Sequence, residues 1–474
     1  MTFSVDNMEN AIAQLITLLD EKSVFTAAED IAGNLDDLLG AKATSPVVVI
    51  RPDSTLNVAS AVKWCSRHNL KIVPQGGLTS LSSAAVSTGS EPYAIISLSR
   101  MNNIRHIDTL DNSISVDAGV VLEAIKKAAK EVDRYFPLNH GAAGSSLIGG
   151  NLSTNAGGNN AVRYGTARDQ VLGLEVVLAD GSIWNGLRHL RKNTAGYDLK
   201  QLFVGAEGSL GIITGAVLKL RSYPHNRATA LIAVESPSSA LQLLRNLETF
   251  VGETVSAFEL CSGAALNFAL KIENARYPMD KMHDWNILIE VETAANSFDL
   301  GKALEAGLAD GIENGLIKDA VIAQSGTQRE TFWFLRESIA TYFIEDKSSI
   351  KSDTAVPVSQ VPLYLTNSQS RLEQEMPGIR SAPFGHLGDG NIHYNVVRPQ
   401  DMSEEDFIAK RSKISAIIES EALNVGGTIS AEHGIGSLKR QSFLKTSGEL
   451  ELTLMRNLKE TFDGDKLLNP NIEF

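Results

Sequence analysis

Between residues 141 and 160 the chain changes character: Gly141-Ala142-Ala143-Gly144-Ser145-Ser146 leads to Gly149-Gly150-Asn151 and then to Asn155-Ala156-Gly157-Gly158-Asn159-Asn160. So many residues that tolerate left-handed backbone, set next to apolar strands, imply main chain wrapped closely around something. A flexible tether is the alternative reading, but Leu147, Ile148 and Leu152 interrupt the polar run and do not suit a solvated linker. The segment before it supplies a scaffold. Val47–Ile50 predicts a strand, a helix capped near Ser54 runs to about His68, and a second strand, Lys71-Ile72-Val73-Pro74, enters Gln75-Gly76-Gly77-Leu78-Thr79-Ser80. A glycine pair after a strand lets backbone N–H groups form an anion-binding nest, although an ordinary tight loop needs the same glycines.

Further strands are expected at Tyr93–Ile96, Ser113–Val116 and Val171–Leu178, with a helix from about Val120 to Lys130 and a hairpin turn at Asp180-Gly181. Gly205-Ala206-Glu207-Gly208-Ser209-Leu210-Gly211 has the glycine spacing of a dinucleotide fingerprint but runs on into β-rich sequence instead of a helix, so it is not one. There is no Walker sequence either, and a nucleotide cofactor would need another architecture. Residues up to about Gly40 read as two acidic amphipathic helices leading into this region.

The chain has 474 residues, too many for one ordinary core. Its 43 basic and 56 acidic residues give a net charge of -13, which disfavours nucleic acid and anionic membrane as partners. Two cysteines, Cys65 and Cys261, fit a reducing compartment, and no apolar run reaches the ~18–20 residues of a membrane span. The N-terminal residues lack the pattern of a signal or transit peptide, so a cytoplasmic location is expected.

Chemistry concentrates in Gly385-His386-Leu387-Gly388-Asp389-Gly390-Asn391-Ile392-His393-Tyr394-Asn395. If Asp389-Gly390 forms the two central residues of a tight hairpin turn, His386 lies opposite His393, both imidazoles share a face, and Asn395 shares it too. Two histidines with a carboxylate, such as Glu432 of Glu432-His433, make the three-ligand set of a catalytic zinc; a polar surface hairpin is the alternative. Beyond Pro224, strands alternating with helices suggest a second α+β domain with an antiparallel sheet. There Arg336, on a helix from about Gln328 to Glu345, and Lys351, opening a strand 351–356, could hold a substrate carboxylate or be solvated surface cations. Helices from about Ser403 to Asn424 and from Glu449 to Phe462 follow.

Taken together, Ile148–Gly158, Lys192–Lys200, Gly205–Thr214, the histidine hairpin and Ala431–Gly436 resemble the vanillyl-alcohol-oxidase-type flavoproteins, and within them the D-2-hydroxyacid dehydrogenases, over residues 41 to 470. The resemblance implies an α+β fold: a two-part FAD-binding domain of the PCMH type over 1–224, a substrate (cap) domain over 225–424, and a segment 425–474 returning to complete the site. It implies non-covalent FAD on Pro74, Gln75, Gly76, Gly77, Leu78, Thr79 and Ser80, on Ala143, Gly144, Gly149, Gly150 and Asn151, on Asn155, Gly157 and Gly158, and near Gly211, Ile213 and Asn469. It further implies a divalent metal, zinc by preference, on His386, His393 and Glu432, with His433 as catalytic base and Arg336, Lys351 and Asn395 on the substrate. The activity implied is oxidation of a D-2-hydroxy acid, D-2-hydroxyglutarate above D-lactate, with electrons leaving to an electron-transfer flavoprotein and a homodimer left open. The rival class is a zinc hydrolase or a flavin-free binding protein. The chain departs from the family pattern at Leu78, where the family usually carries Asn, at Ser80, where it carries Gly, near Ser82 and Ser83, where it carries glycines, and at Ala340, where a hydroxyl-bearing residue is common in the hydroxyglutarate branch.

Overall fold

The structure is a computed structural model describing residues 5–38, 43–87, 89–346 and 348–474; the expected helix end at Gly40 lies outside the described residues. The chain divides into two units. Unit 1 is 1–156, 166–222 and 432–474; unit 2 is 157–165 and 223–431. The boundaries expected from the sequence are 224/225 and 424/425, against 222/223 and 431/432 here, and 157–165 groups with unit 2 instead of with the expected FAD-binding domain.

In unit 1 a strand-helix-strand path builds a four-stranded sheet. Val48–Ile50 is wholly buried, and Ser54 caps the helix Thr55–Arg67 by accepting from the Asn57 amide at 3.3 Å. That helix buries Val58, Ala61, Val62 and Cys65, residues spaced to lie on one face. The chain returns as Lys71–Gln75, and Tyr93–Ser97 inserts between these strands, parallel to both. A second, antiparallel sheet runs Ile104–Asp108, Ser113–Asp117, Ile212–Lys219, Val171–Val177, Ile183–Gly186. The Asp180-Gly181 turn joins its last two strands, with Gly181 at φ 74°. From the far end of the sequence, Leu468 bridges to Ile72.

Unit 2 is built on one antiparallel seven-stranded sheet, in the order Ile317–Ile322, Asn226–Val234, Trp285–Thr293, Val255–Ser262, Arg380–His386, Asn391–Val397, Thr354–Ala355. One face is apolar (Ile232, Leu260, Ile289, Ile392, Tyr394) and is buried under the helices Pro237–Val251, Leu300–Glu313, Val361–Glu375 and Arg411–Asn424. The other packs Leu231, Leu288, Cys261 and Phe384 against the helices Gly263–Ala269 and Gly326–Glu345. The expected 403–424 helix breaks at Lys410 into Glu404–Ala409 and Arg411–Asn424, and the strand expected over 351–356 pairs only at Thr354–Ala355, with a bridge from Ile350 to Val396.

Candidate active site

The histidine hairpin forms in a different register from the one expected. His386 pairs with Asn391, and His393 with Phe384, so the connection is the four residues 387–390 instead of two. The neighbouring strand explains the longer loop: Gly390 accepts from the Val356 amide at 3.1 Å, and at φ 85° it sits so near the Val356 carbonyl that a Cβ would collide with it. Because the register is displaced by an even number of residues, the side-chain faces are preserved. The two imidazoles are diagonal neighbours, 5.6 Å apart between ring centres and nearly perpendicular at 79°.

That face carries more polar groups than the hairpin alone. The pairing of Thr354 with Ile392 and of Ile350 with Val396 carries Asp353 opposite His393 and Lys351 opposite Asn395. Asp353 Oδ1 lies 4.0 Å from His393 Nδ1 and accepts from Asn391 Nδ2 at 3.1 Å, and Asp353 Oδ2 accepts from the Ala431 amide at 3.2 Å. Lys351 donates to the Asp346 carbonyl at 3.1 Å; burial and the nearby Arg411 charge lower its pKa, with Asp346 opposing them. Asn395 is 3% exposed, and its Oδ1 has no hydrogen-bond partner among the described residues. A buried acceptor left so is expensive unless something else fills the role.

On the next strand Glu259, paired with His386 in register and fully buried, accepts from His386 Nδ1 at 2.8 Å. Its other oxygen faces Arg336, with Nε at 2.9 Å and Nη2 at 2.7 Å, and that guanidinium lies over the Phe384 ring. Burial alone would push the Glu259 carboxyl up, but the His386 and Arg336 charges and hydrogen bonds outweigh it and hold the group at about 2. Arg336, expected at the substrate, is thus also one partner of a buried ion pair. Sequence reasoning missed Glu259 and Asp353. A single acid in the otherwise uncharged run Val255–Leu260, and the two-residue spacing of Asp353 from Lys351, were the available signals.

The remaining candidates fall in unit 1, where Glu432 and His433 open its last segment. Glu207, of the Gly205–Gly211 motif, holds that segment: its carboxylate accepts from the amides of Ile435 and Gly436, each at 3.1 Å. Burial pushes its carboxyl up to about 7, against the downward pull of those amides, Ser82 and Lys439. The Glu207 carbonyl accepts from Asn469 Nδ2 at 2.6 Å, while Asn469 Oδ1 is buried with no partner among the described residues.

The expected flavin cradle is partly self-packed. The Gly76-Gly77 loop abuts 145–150, so closely that a Cβ on Gly77 would strike the Ser145 carbonyl, whereas Gly144 has open space beside it. The Gln75 side chain is used up within the fold, donating to the Asn34 and Ala85 carbonyls and accepting from Asn34 Nδ2. Following Pro74 and Gln75, Leu78 stands at φ 55°, Thr79 comes next, and Ser80 Oγ accepts from the Ser82 amide at 3.2 Å. Gly150 faces Gly76, a Cβ on Gly149 would strike Ala118, the Ala143 carbonyl accepts from the Glu123 amide, Asn151 bonds His140 and Ser146, and Asn155 accepts from Thr166 and Arg168. Gly211 and Ile213 enter the Ile212–Lys219 strand, while Gly157 and Gly158 belong to unit 2. An orphaned buried amide oxygen at Asn469 and open space at Gly144 fit a bound cofactor; in unit 2, two perpendicular imidazoles with a carboxylate nearby fit a divalent cation.

Residues 46–186 match the FAD binding domain family, and residues 223–472 match the C-terminal domain of FAD linked oxidases. The chain is 34% identical over 426 residues to D-2-hydroxyglutarate dehydrogenase of Xanthomonas citri pv. viticola, covering 90% of this chain and 89% of that protein. It is 32% identical to the enzyme of the same name from Stutzerimonas stutzeri, covering 97% of each. The fold is shared with p-cresol methylhydroxylase at a TM-score of 0.74 and 14% identity, covering 99% of this chain and 97% of that one. The family matches to both halves and the near full-length identity converge: the chain belongs to the FAD-linked oxidases and is an FAD-dependent dehydrogenase of the D-2-hydroxyacid dehydrogenase family.

Proposed function

We propose that the protein oxidises D-2-hydroxyglutarate to its 2-oxo acid with metal assistance from His386, His393 and Glu432. The observation that carries the reading is the buried sheet face of unit 2, where Lys351, Asn395, His393 and His386 follow one another and the Asn395 oxygen lacks a partner among the described residues. The names of the relatives point to the same substrate. When bound, FAD supplies a two-electron acceptor and the cation supplies Lewis acidity. Lys351 and Arg336 supply positive charge for a substrate carboxylate, and Asn395 Oδ1 accepts a hydrogen bond from the substrate hydroxyl. His433 takes the hydroxyl proton as C2 loses its hydride. Electrons then leave through a separate carrier, an electron-transfer flavoprotein. Anaerobic mixing with D- and L-2-hydroxyglutarate and D-lactate, followed by bleaching of the flavin bands, tests the reading. D-2-hydroxyglutarate should bleach fastest; faster bleaching by D-lactate or by the L-enantiomer overturns the substrate assignment.

A further inference from the structure

Besides Asp353, three buried carboxylates among the described residues, Glu292, Glu290 and Glu259, line the side of the unit 2 sheet that carries His386, and they differ in what they hold. Glu292 accepts from Arg227 Nε at 2.8 Å and from the Tyr164 hydroxyl at 2.9 Å. Glu290 accepts from Thr229 at 2.9 Å, from Arg329 at 2.6 and 2.8 Å, and from Trp333 at 2.9 Å. These two tie the sheet to Tyr164 and to the helix Gly326–Glu345, and Arg227, Tyr164, Thr229, Arg329 and Trp333 are not candidate site residues. Glu259 uses the same chemistry, but both of its partners, His386 and Arg336, belong to the candidate site. The helix Gly326–Glu345 reaches both strands with arginines seven residues apart, Arg329 to Glu290 and Arg336 to Glu259, so both lie on one side of it.

We propose that Glu259 is a positioning residue for the reaction: it fixes His386 with its proton on Nδ1, turns Nε2 of that ring toward the cation, and sets the direction of the Arg336 guanidinium. A carboxylate can only accept, so the 2.8 Å contact requires that Nδ1 carry the hydrogen, and Nε2 is then the nitrogen with a lone pair to give. A histidine ligand oriented by a carboxylate on its far nitrogen binds metal better, and removing such a partner typically weakens metal binding ~10–100-fold. Glu259 also pairs with Arg336 where both side chains are nearly or wholly out of water, which ties ligand geometry and the direction of the guanidinium to one residue. The inference rests on the metal reading of the preceding subsection, and its test separates the two.

The test measures zinc affinity by competition with a chromophoric chelator, on full-length protein with flavin content and melting temperature recorded for each variant. Wild type should bind zinc and His393→Ala should not. Glu259→Gln should keep its flavin and weaken zinc ~10–100-fold, with Glu259→Asp intermediate because the shorter side chain withdraws the carboxylate from His386. Glu290→Gln is the control: it breaks an equally buried carboxylate on the same face and should melt earlier yet hold zinc as wild type does. Zinc affinity within twofold of wild type in Glu259→Gln, or in Glu259→Asp should the first variant not fold, overturns the positioning role. So does equal loss in Glu290→Gln, which would make the effect a general loosening of the sheet. If wild type and His393→Ala bind zinc alike, the metal reading itself fails and this inference with it.

Discussion

The guanidinium of Arg336 and the carboxylate of Glu259 form an ion pair with both side chains nearly or wholly out of water, 2.7 Å from Nη2 to Oε2. Removing one partner of such a pair strands the other charge, which costs roughly 3–5 kcal/mol. Arg336→Met should therefore lose that much stability in urea unfolding as well as activity, and Arg336→Met with Glu259→Gln should recover part of the loss. Full additivity of the two single changes would show that the pair is not coupled.

Lys351 should behave differently. Its ammonium contacts the Asp346 backbone carbonyl and no buried carboxylate is stranded by its loss, so Lys351→Ala should unfold within ~1 kcal/mol of wild type. Steady-state kinetics with a hydroxy acid should nonetheless show kcat/KM lowered by the equivalent of ~2–5 kcal/mol, as for a deleted charged contact to substrate.

His433→Ala should slow anaerobic flavin reduction by a factor of ~10²–10⁴ while leaving flavin content unchanged, since a positioned base contributes about that much. His386→Ala and His393→Ala should lose metal and keep flavin, because both lie outside residues 46–186, the FAD-binding match. Metal analysis alongside the flavin spectrum separates these outcomes.

Glu207 gives a pH prediction. Its carboxyl is held at about 7 in the fold and titrates near ~4.3 when unfolded, so the native state keeps the proton longer. Its contribution to stability is fully present below about pH 4.3 and is lost as pH rises through about 7, a difference on the order of 3 kcal/mol. Glu207→Gln mimics the protonated form. Thermal unfolding from pH 5 to 8 should show the variant gaining on wild type across that range; a constant difference would mean the carboxyl ionises normally.

Several features were readable in the chain because they depend on local rules. The Ser54 cap, the helix it starts and the Asp180-Gly181 hairpin follow from neighbouring residues, and the shared face of His386 and His393 survives any even shift of register. The register itself was not readable, because Val356, which holds Gly390, is brought there by a strand whose pairing the hairpin does not encode. Glu259 was hidden for the same reason: a buried acid makes sense only with partners 77 and 127 residues away. Leu78 shows the reverse case. Its departure from the family's Asn is plain in the sequence, and the structure gives it physical meaning, a branched apolar residue at φ 55°, where Asn is more at ease.

The grip of Glu207 on Ile435 and Gly436 spans 228 and 229 residues. On a ribosome adding ~5–20 residues each second, the carboxylate emerges roughly 10–50 seconds before the amides it will hold. In that interval the stretch 223–431 is made, while the flavin-binding half still lacks its last segment and the strand at Ile72 still lacks Leu468. A ribosome that stops short of residue 432 therefore leaves behind a unit 2 whose residues are all made, beside a unit 1 without the segment that bears Glu432 and His433.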